Sequence, residues 1–220
     1  MALERKFKIG KPILEVKNIS LSFGGVKAIT DTSFDVLEHE VRAIIGPNGA
    51  GKSSMLNCIN GIYKPQQGTV SFKGQQITNI TPNIMAQMGL SRTFQNLALF
   101  KRMSVLDNIL VGRKLHTKTN FLEVAFQLPK VKKEEKENRD RSEEIISFLE
   151  IEDIKDTPVG KLPYGLQKKV ELGRALATDS SVILLDEPMA GMNVEEKRDM
   201  CRFILKVNDE LGTTMVLIEH

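Results

Sequence analysis

The chain of 220 residues carries 31 basic and 28 acidic side chains, so its formal net charge is only +3. The length suits one domain with a sizeable core, or one domain with an inserted subdomain. The balanced charge argues against nucleic acid or an anionic membrane as the main partner. The sequence has neither the apolar core of a signal peptide nor the roughly 20 apolar residues of a membrane span, so we expect a cytosolic chain. Cys58 and Cys201 lack metal-ligand spacing and indicate reduced thiols.

The first 75 residues predict mainly β-strands. Near-alternating apolar residues predict a strand over 13–23, and a second strand, a polar turn at 38–40 and a short buried strand at 41–45 follow. The buried strand runs into a glycine-rich stretch, after which a helix and a further strand at 68–72 are predicted.

From about residue 95 to residue 161 the pattern becomes helical. Ser104 is a candidate N-cap with Asp107 three residues on, and the stretch 120–128 is apolar on nearly all sides. A charge-laced helix with i,i+4 ion pairs is predicted over 130–150.

The last third of the chain alternates strand and helix. A helix is expected after residue 165, followed by a buried strand ending at 186, a helix over about 194–211 and a last strand. Strand and helix in alternation, with a helical insertion between them, predict a parallel α/β sheet.

The strongest motif runs from residue 46 to residue 53 and matches G-x-x-x-x-G-K-[ST] in full. A strand before it and a helix after it are the context in which this pattern binds phosphate. The glycines let backbone N–H groups curl around a phosphate, the lysine reaches the terminal phosphates, and the serine hydroxyl suits Mg²⁺. We expect nucleotide contacts from Gly46, Pro47, Asn48, Gly49, Ala50, Gly51, Lys52, Ser53 and Ser54.

Two carboxylates follow the buried strand at 182–185. Asp186 at its carboxyl end lies where Mg²⁺ would bind in an open α/β sheet. Glu187 follows directly and suits the polarisation of an attacking water. Alone, such a pair is also typical of a helix-capping turn. Together with the phosphate loop, it favours hydrolysis over phosphoryl transfer to a bound acceptor.

A second candidate anion site lies far downstream of the first. A tight turn at Gly165 leads into a helix whose first turns carry Lys168 and Lys169, and free N–H groups at a helix start bind anions. Gln95 stands where the sheet region gives way to the helical insertion and could sense Mg²⁺ and water. His220 ends the last strand. On local pattern alone, a surface glutamine and a frayed terminal residue are the simpler interpretations.

The order of the motifs along the chain resembles the ATP-binding cassette (ABC) family. These motifs are the phosphate loop, Gln95, the glycine turn at 162–167, the strand ending in Asp186 and Glu187, and His220. The resemblance covers essentially the whole chain. It implies an α/β P-loop NTPase with a RecA-like parallel sheet core, an N-terminal antiparallel β subdomain and an inserted helical subdomain.

The resemblance also implies domain bounds and site roles. The chain would be one ABC ATPase domain, with a catalytic core at 1–94 and 162–220 and a helical subdomain at 95–161. ATP and Mg²⁺ would be the cofactors. The implied roles are adenine stacking by Phe23, catalysis by Glu187, His220 and Gln95, Mg²⁺ binding by Ser53, Gln95 and Asp186, and contact of Tyr164 and Gly165 with the ATP of a second cassette.

Three features depart from the family pattern. The signature turn reads Leu162-Pro163-Tyr164-Gly165-Leu166 instead of Leu-Ser-Gly-Gly-Gln, so the serine hydroxyl is missing and backbone donors remain. Asn193 replaces the usual aspartate of the segment 190–193. Family members continue past the histidine with further strands and helices, so we expect a chain that is truncated relative to the family, with weaker ATPase activity.

The stretches 92–112 and 162–177, with the charged insertion at 113–143, resemble the LivG-type ATPase of branched-chain amino acid importers. This implies a transport-coupled ATPase that pairs with a second ABC ATPase subunit, as homo- or heterodimer. It would lie on the cytoplasmic face of the membrane through integral membrane permease subunits, with no nucleic acid partner.

Other functions remain open at this point. An ABC ATPase for another cargo, such as a urea or amide importer or a lipid exporter, would show the same motifs. A non-transport ABC ATPase acting on nucleic acid or ribosomes usually carries coiled-coil insertions, tandem cassettes or basic patches. A P-loop kinase would need an acceptor site and would not explain the turn at 162–167. Stimulation of the ATPase by DNA or ribosomes would distinguish the second class.

Overall fold

The structure, a computed structural model, describes residues 6–77, 80–93, 97–117, 119, 123 and 128–219. It divides into two compact units, Met1–Gln95 with Ser181–His220, and Asn96–Ser180. We call them the sheet unit and the helical unit. The helical unit includes the helix at Tyr164–Leu176 and therefore extends past the expected boundary at residue 161.

The described strands and helices follow the chain in this order. The strands are β1 (Pro12–Phe23), β2 (Val26–Leu37), β3 (Val41–Ile45), β4 (Gln67–Phe72), β5 (Gln75–Ile77), β6 (Leu90–Arg92), β7 (Val182–Asp186) and β8 (Thr214–Glu219). The α-helices are α1 (Lys52–Ile59), α2 (Pro82–Met88), α3 (Val105–Gly112), α4 (Pro129–Phe148), α5 (Tyr164–Leu176) and α6 (Val194–Leu211). Short 3₁₀ helices lie at Arg113–His116, Glu152–Ile154 and Val159–Lys161.

The sheet unit holds two four-stranded sheets. The first has the order β2-β1-β4-β5 and its neighbours pair antiparallel. The second has the order β3-β8-β7-β6 and all of its neighbours pair parallel. The predicted parallel α/β sheet and the antiparallel subdomain are therefore both confirmed. The short elements β5, α2 and β6 were not predicted from the sequence, because each has only three to seven residues.

One hydrophobic core joins the two sheets and α1. It takes side chains from the antiparallel sheet, from one face of α1 and from the parallel strands. Its fully buried members include Leu14, Val36, Leu56, Phe72, Leu184 and Val216. One face of α1 packs in this core, so the loop that precedes α1 is anchored to the core at its C-terminal end.

The helical unit begins with the cap predicted from the sequence. Ser104 Oγ accepts the backbone N–H of Asp107 at 3.0 Å. Asn108 on α3 is fully buried. Its Nδ2 donates hydrogen bonds to the carbonyl oxygens of Phe100 and Ser104 at 3.1 and 2.9 Å. The predicted i,i+4 pairs on α4 are also present, between Lys133 and Glu137 and between Arg139 and Glu143. The apolar stretch 120–128 lies almost entirely outside the described residues.

Both cysteines are free thiols. Cys58 is buried on α1, and burial raises the pKa of its thiol to about 11, whereas Cys201 is exposed on α6. Within the described parts of the chain, no helix is long and apolar enough to cross a membrane.

Asn193 begins α6 with a reciprocal pair of hydrogen bonds. Its Oδ1 accepts the N–H of Glu196 at 2.9 Å, and the Glu196 carboxylate accepts the N–H of Asn193 at 2.9 Å. Aspartate, the usual family residue here, could accept the same bond. We expect Asn193→Ala to lower the free energy of unfolding by about 1 kcal/mol, measured by urea denaturation, because a helix N–H loses its acceptor. Asn193→Asp is the control and should stay within about 0.5 kcal/mol of the unaltered protein. Equal losses in both variants would contradict the capping role.

Candidate functional site

The glycine-rich loop at 46–51 connects β3 to α1, as the sequence predicts. Gly51 has a φ of +83°, and a Cβ there would overlap the carbonyl oxygen of Ala28 on β2. Only glycine fits at this point, since both the left-handed backbone and the close approach exclude a side chain. The last residue of the loop is thereby fixed against the antiparallel sheet.

The N-terminus of α1 is a candidate site for an anion. Its N-cap residue is Gly51, which has no side chain to cap the first N–H groups. Lys52 is only 8% exposed, and its Nζ donates to the carbonyl oxygens of Gly46 and Pro47 at 2.5 and 2.9 Å. The backbone N–H groups of a helix start, the positive end of the helix and a lysine at the same point are the features of a candidate anion-binding site.

Asp186 is held by a buried ion pair at the end of β7. Arg92 Nη2 donates to Asp186 Oδ2 at 2.7 Å, and the two side chains are 7% and 4% exposed. Arg92 Nη1 also donates to Asn57 Oδ1 on α1 at 2.6 Å. The guanidinium therefore ties the helix behind the phosphate loop to the carboxylate. The second oxygen, Asp186 Oδ1, is buried and has no hydrogen-bond partner among the described residues.

The phosphate loop and Asp186 share one edge of the parallel sheet. β3 and β7 both flank β8, where Ile45 pairs with Glu219 and Asp186 pairs with Ile218. Strands two positions apart are separated by about 10 Å. The carboxyl ends of these strands thus bring an anion-binding loop and a buried carboxylate to the region where ligands bind in α/β sheets.

Glu187 follows Asp186 in an uncommon conformation. Its φ is +50°, its side chain is 7% exposed, and its N–H donates to the carbonyl oxygen of Ile218 at 3.1 Å. The next turn is tied to β8 as well, because the N–H of Met189 donates to Glu219 Oε1 at 3.1 Å. Left-handed backbone in a non-glycine residue is sparsely populated and concentrates at functional sites.

Phe23 lies at the tip of the β1–β2 hairpin. Its ring is 44% exposed and meets the ring of Tyr63 edge-on, with centroids 5.1 Å apart and planes at 69°. Tyr63 belongs to the loop that follows α1. The sequence indicated Phe23, whereas Tyr63 carried no motif that pointed to it.

The second candidate anion site differs from its prediction. Gly165 lies within the first turn of α5 and is buried, so the expected tight turn at Gly165 is wrong. The helix starts after Pro163, whose side chain cannot cap the first N–H groups. Lys168 is 2% exposed and pairs with Glu171 at 3.2 Å, so its charge is already compensated inside the helical unit. The backbone N–H groups near the exposed Tyr164 are the part of the predicted anion site that this structure leaves as a candidate.

Two predicted residues, Gln95 and His220, lie outside the described residues. Arg92 and Asn57 were missed by the sequence reasoning. Arg92 stands three residues before Gln95, but no spacing rule connects it to Asp186 across 94 residues.

A family profile described as ABC transporter matches residues 29–190 of the chain. This segment covers more than half of the sequence and contains the phosphate loop, Asp186 and Glu187. The chain belongs to the ABC transporter family. This ABC ATPase domain therefore binds ATP, and the α/β P-loop fold is the family's fold.

Curated relatives of this ABC ATPase cover nearly the whole chain. It is 36% identical over 212 residues to the high-affinity branched-chain amino acid transport ATP-binding protein BraF of Pseudomonas aeruginosa, spanning 96% of this chain and 83% of BraF. It is 32% identical over 212 residues to the corresponding protein LivG of Escherichia coli strain K12, with the same coverage.

Solved structures agree with the fold of this ABC ATPase. A nucleotide-free ATP-binding cassette from an ABC transporter matches with a TM-score of 0.80 and 36% identity, covering 95% of this chain and 81% of that one. The ADP conformation of MJ1267, an ATP-binding cassette of an ABC transporter, matches with a TM-score of 0.80 and 34% identity over the same shares.

The residues of the sheet unit fit a Mg²⁺–nucleotide. Asp186 Oδ1 is a buried carboxylate oxygen that accepts no hydrogen bond from the described part of the chain, which suits a metal-bound water. Ser53 supplies a hydroxyl in the first turn of α1, the position at which P-loop proteins bind Mg²⁺. Both groups belong to the sheet edge that carries the phosphate loop.

Proposed function

We propose that the chain is the ATP-hydrolysing subunit of an ABC importer that moves branched-chain amino acids. The observation that supports it most directly is the shared sheet edge, where the open start of α1 and the carboxylate of Asp186 flank β8. The names of the relatives BraF and LivG supply the cargo.

The residues of the sheet unit divide the chemistry among them. The N–H groups after Gly51 and the ammonium of Lys52 bind the phosphates, for which Lys52 must exchange the carbonyl oxygens that it now contacts. Mg²⁺, when bound through Ser53 and Asp186, neutralises charge on the phosphates. Glu187 accepts a proton from the attacking water. By the family resemblance, Gln95 would act on the metal and His220 on the terminal phosphate; both lie outside the described residues.

The open start of α5 serves a second subunit. Its N–H groups around Tyr164 and Gly165 form an anion site that the chain's own phosphate loop does not require. In a head-to-tail pair of cassettes, each α5 start would cover the terminal phosphate held by the other subunit. Such a two-fold, self-complementary contact can form a homodimer, or a heterodimer with a related ATPase.

Transport follows from opening and closing of this pair. ATP–Mg²⁺ closes it, and hydrolysis with release of phosphate reopens it, so that the helical unit would transmit a rigid-body motion to membrane permease subunits. The subunit would then be peripheral on the cytoplasmic face. Peripheral attachment needs no membrane-spanning helix in the ATPase itself.

The test is uptake by the assembled transporter. The tagged chain would be purified with its associated membrane proteins from its source organism and reconstituted in vesicles together with the soluble binding protein. We expect ATP-dependent leucine uptake to fall at least about tenfold with Lys52→Ala, because the phosphate loop loses its charge. Lys11→Ala, an exposed lysine outside the site, is the matched control and should leave uptake unchanged.

Two outcomes would contradict the proposal. If the vesicles took up urea but not leucine, the proposal that the transporter moves branched-chain amino acids would be wrong. An ATPase that purifies without membrane proteins and is stimulated by DNA or ribosomes would overturn the transport function itself.

A further inference from the structure

Phe23 lies at the tip of the β1–β2 hairpin, beside the phosphate loop. Gly24 and Gly25 link β1 to β2 with φ values of +50° and +91°, as a two-residue hairpin turn requires. Phe23 pairs with Val26, and Ala28, whose carbonyl oxygen lies against Gly51, is two residues further along β2. Two residues of strand span about 7 Å. The ring therefore lies within reach of a nucleotide whose phosphates rest on the loop.

The partly exposed ring of Phe23 contacts a second aromatic ring. Tyr63 is partly buried, packs against the core of the sheet unit and meets Phe23 edge-on at 5.1 Å. An edge-to-face contact fixes the orientation of the two rings relative to each other. Phe23 is 44% exposed, so the contact with Tyr63 orients its ring and leaves part of its surface open.

The strand that carries Phe23 is held by a side-chain amide. Gln66 Oε1 accepts the N–H of Ser22 at 2.9 Å, and Gln66 Nε2 donates to the carbonyl oxygen of Ser22 at 3.0 Å. The N–H of Gln66 donates in turn to the carbonyl oxygen of Ser20. The amide thus extends the β1–β4 pairing up to the residue next to Phe23. Tyr63 and Gln66 belong to the same loop after α1, so one segment supports both the ring and its backbone.

We propose that Tyr63 and Gln66 are positioning residues for the nucleotide base. They hold Phe23 so that the exposed part of its ring stacks on the base, while the phosphate loop binds the phosphates. This inference rests on the proposed function, in which Phe23 is the base-stacking residue. Because every base has a π-face, the platform contributes affinity for the base and leaves the phosphates to the loop.

The experiment compares two ligands by calorimetric titration in the presence of Mg²⁺. ATP uses the platform and the loop, whereas inorganic tripolyphosphate uses only the loop. We expect Tyr63→Leu to weaken ATP binding by about threefold to tenfold and to leave tripolyphosphate binding within about twofold. Tyr63→Phe retains the ring and should bind ATP like the unaltered chain. In a Phe23→Ala background, Tyr63→Leu should cause no further loss, because the ring that it positions is gone.

Gln66→Ala tests the same proposal without disturbing packed rings. We expect it to weaken ATP binding by about threefold with no effect on tripolyphosphate, since Ser22 loses two hydrogen bonds. Gln75→Ala, an exposed glutamine on β5, is the matched control and should change neither ligand.

The outcomes separate this inference from the proposed function. Unchanged ATP affinity in both Tyr63→Leu and Gln66→Ala would overturn the inference, as would equal losses for ATP and tripolyphosphate. Failure of the unaltered chain to bind either ligand would overturn the proposed function and this inference with it.

Discussion

Replacing Glu187 by glutamine is expected to lower ATP hydrolysis by about 10²-fold to 10⁴-fold, the usual contribution of a positioned general base. Glutamine has nearly the same shape, so the left-handed backbone at this residue and its hydrogen bond to Ile218 are retained. The affinity for ATP–Mg²⁺ should stay within about threefold, because the phosphate loop and Asp186 are unaltered. Phosphate release and equilibrium nucleotide binding are the two measurements.

The control for this variant is Glu195→Gln. Glu195 is an exposed carboxylate in the first turn of α6, outside the shared sheet edge, and its loss should change hydrolysis by less than about twofold. If Glu187→Gln retained more than half of the hydrolysis rate, another group would have to accept the proton. The assignment of Glu187 would then be wrong, although nucleotide binding by the loop would stand.

Replacing Arg92 by leucine is expected to lower the free energy of unfolding by about 3–5 kcal/mol. The change leaves the carboxylate of Asp186 buried without its charged partner, and desolvation of an unpaired charge is costly. For a chain of this size, the melting temperature should fall by about 10 °C. Asn57 on α1 also loses its donor, so the helix behind the phosphate loop is loosened at the same time.

Two comparisons isolate the buried pair. Arg139→Leu breaks an exposed i,i+4 pair on α4 and should cost less than about 1 kcal/mol. The double variant Arg92→Leu with Asp186→Asn should recover part of the loss, because it leaves no buried charge behind. An Arg92→Leu variant as stable as Arg139→Leu would contradict the role of this ion pair.

Local signals made much of the fold predictable. The phosphate loop, the cap at Ser104, the buried strand before Asp186 and the bounds of α6 all follow from patterns within about ten residues. These patterns reflect hydrogen bonding and burial along one element, so a single sequence carries them. The parallel sheet was predictable for the same reason, from the alternation of buried strands and helices.

The contacts that complete the site were not predictable. Arg92 reaches Asp186 and Asn57 only because β6 lies beside β7 and near α1, and such neighbours are a result of folding. Tyr63 and Phe23 likewise come from different elements. Lys168 also differs from its predicted role in the anion site. Its side chain is buried, and its charge is compensated by an ion pair inside the helical unit.

The measurement that tests the central claim most directly is the mass of Glu187→Gln in solution, by light scattering, with and without ATP–Mg²⁺. If each α5 start covers the other subunit's ATP, the mass should rise from 24.6 kDa to about twice that value only with ATP–Mg²⁺. A second change, Gly165→Leu, should abolish the rise while ATP binding persists, because a side chain enters the first turn of α5. A chain that binds ATP–Mg²⁺ and remains at 24.6 kDa would contradict the claim that two cassettes share their phosphate sites.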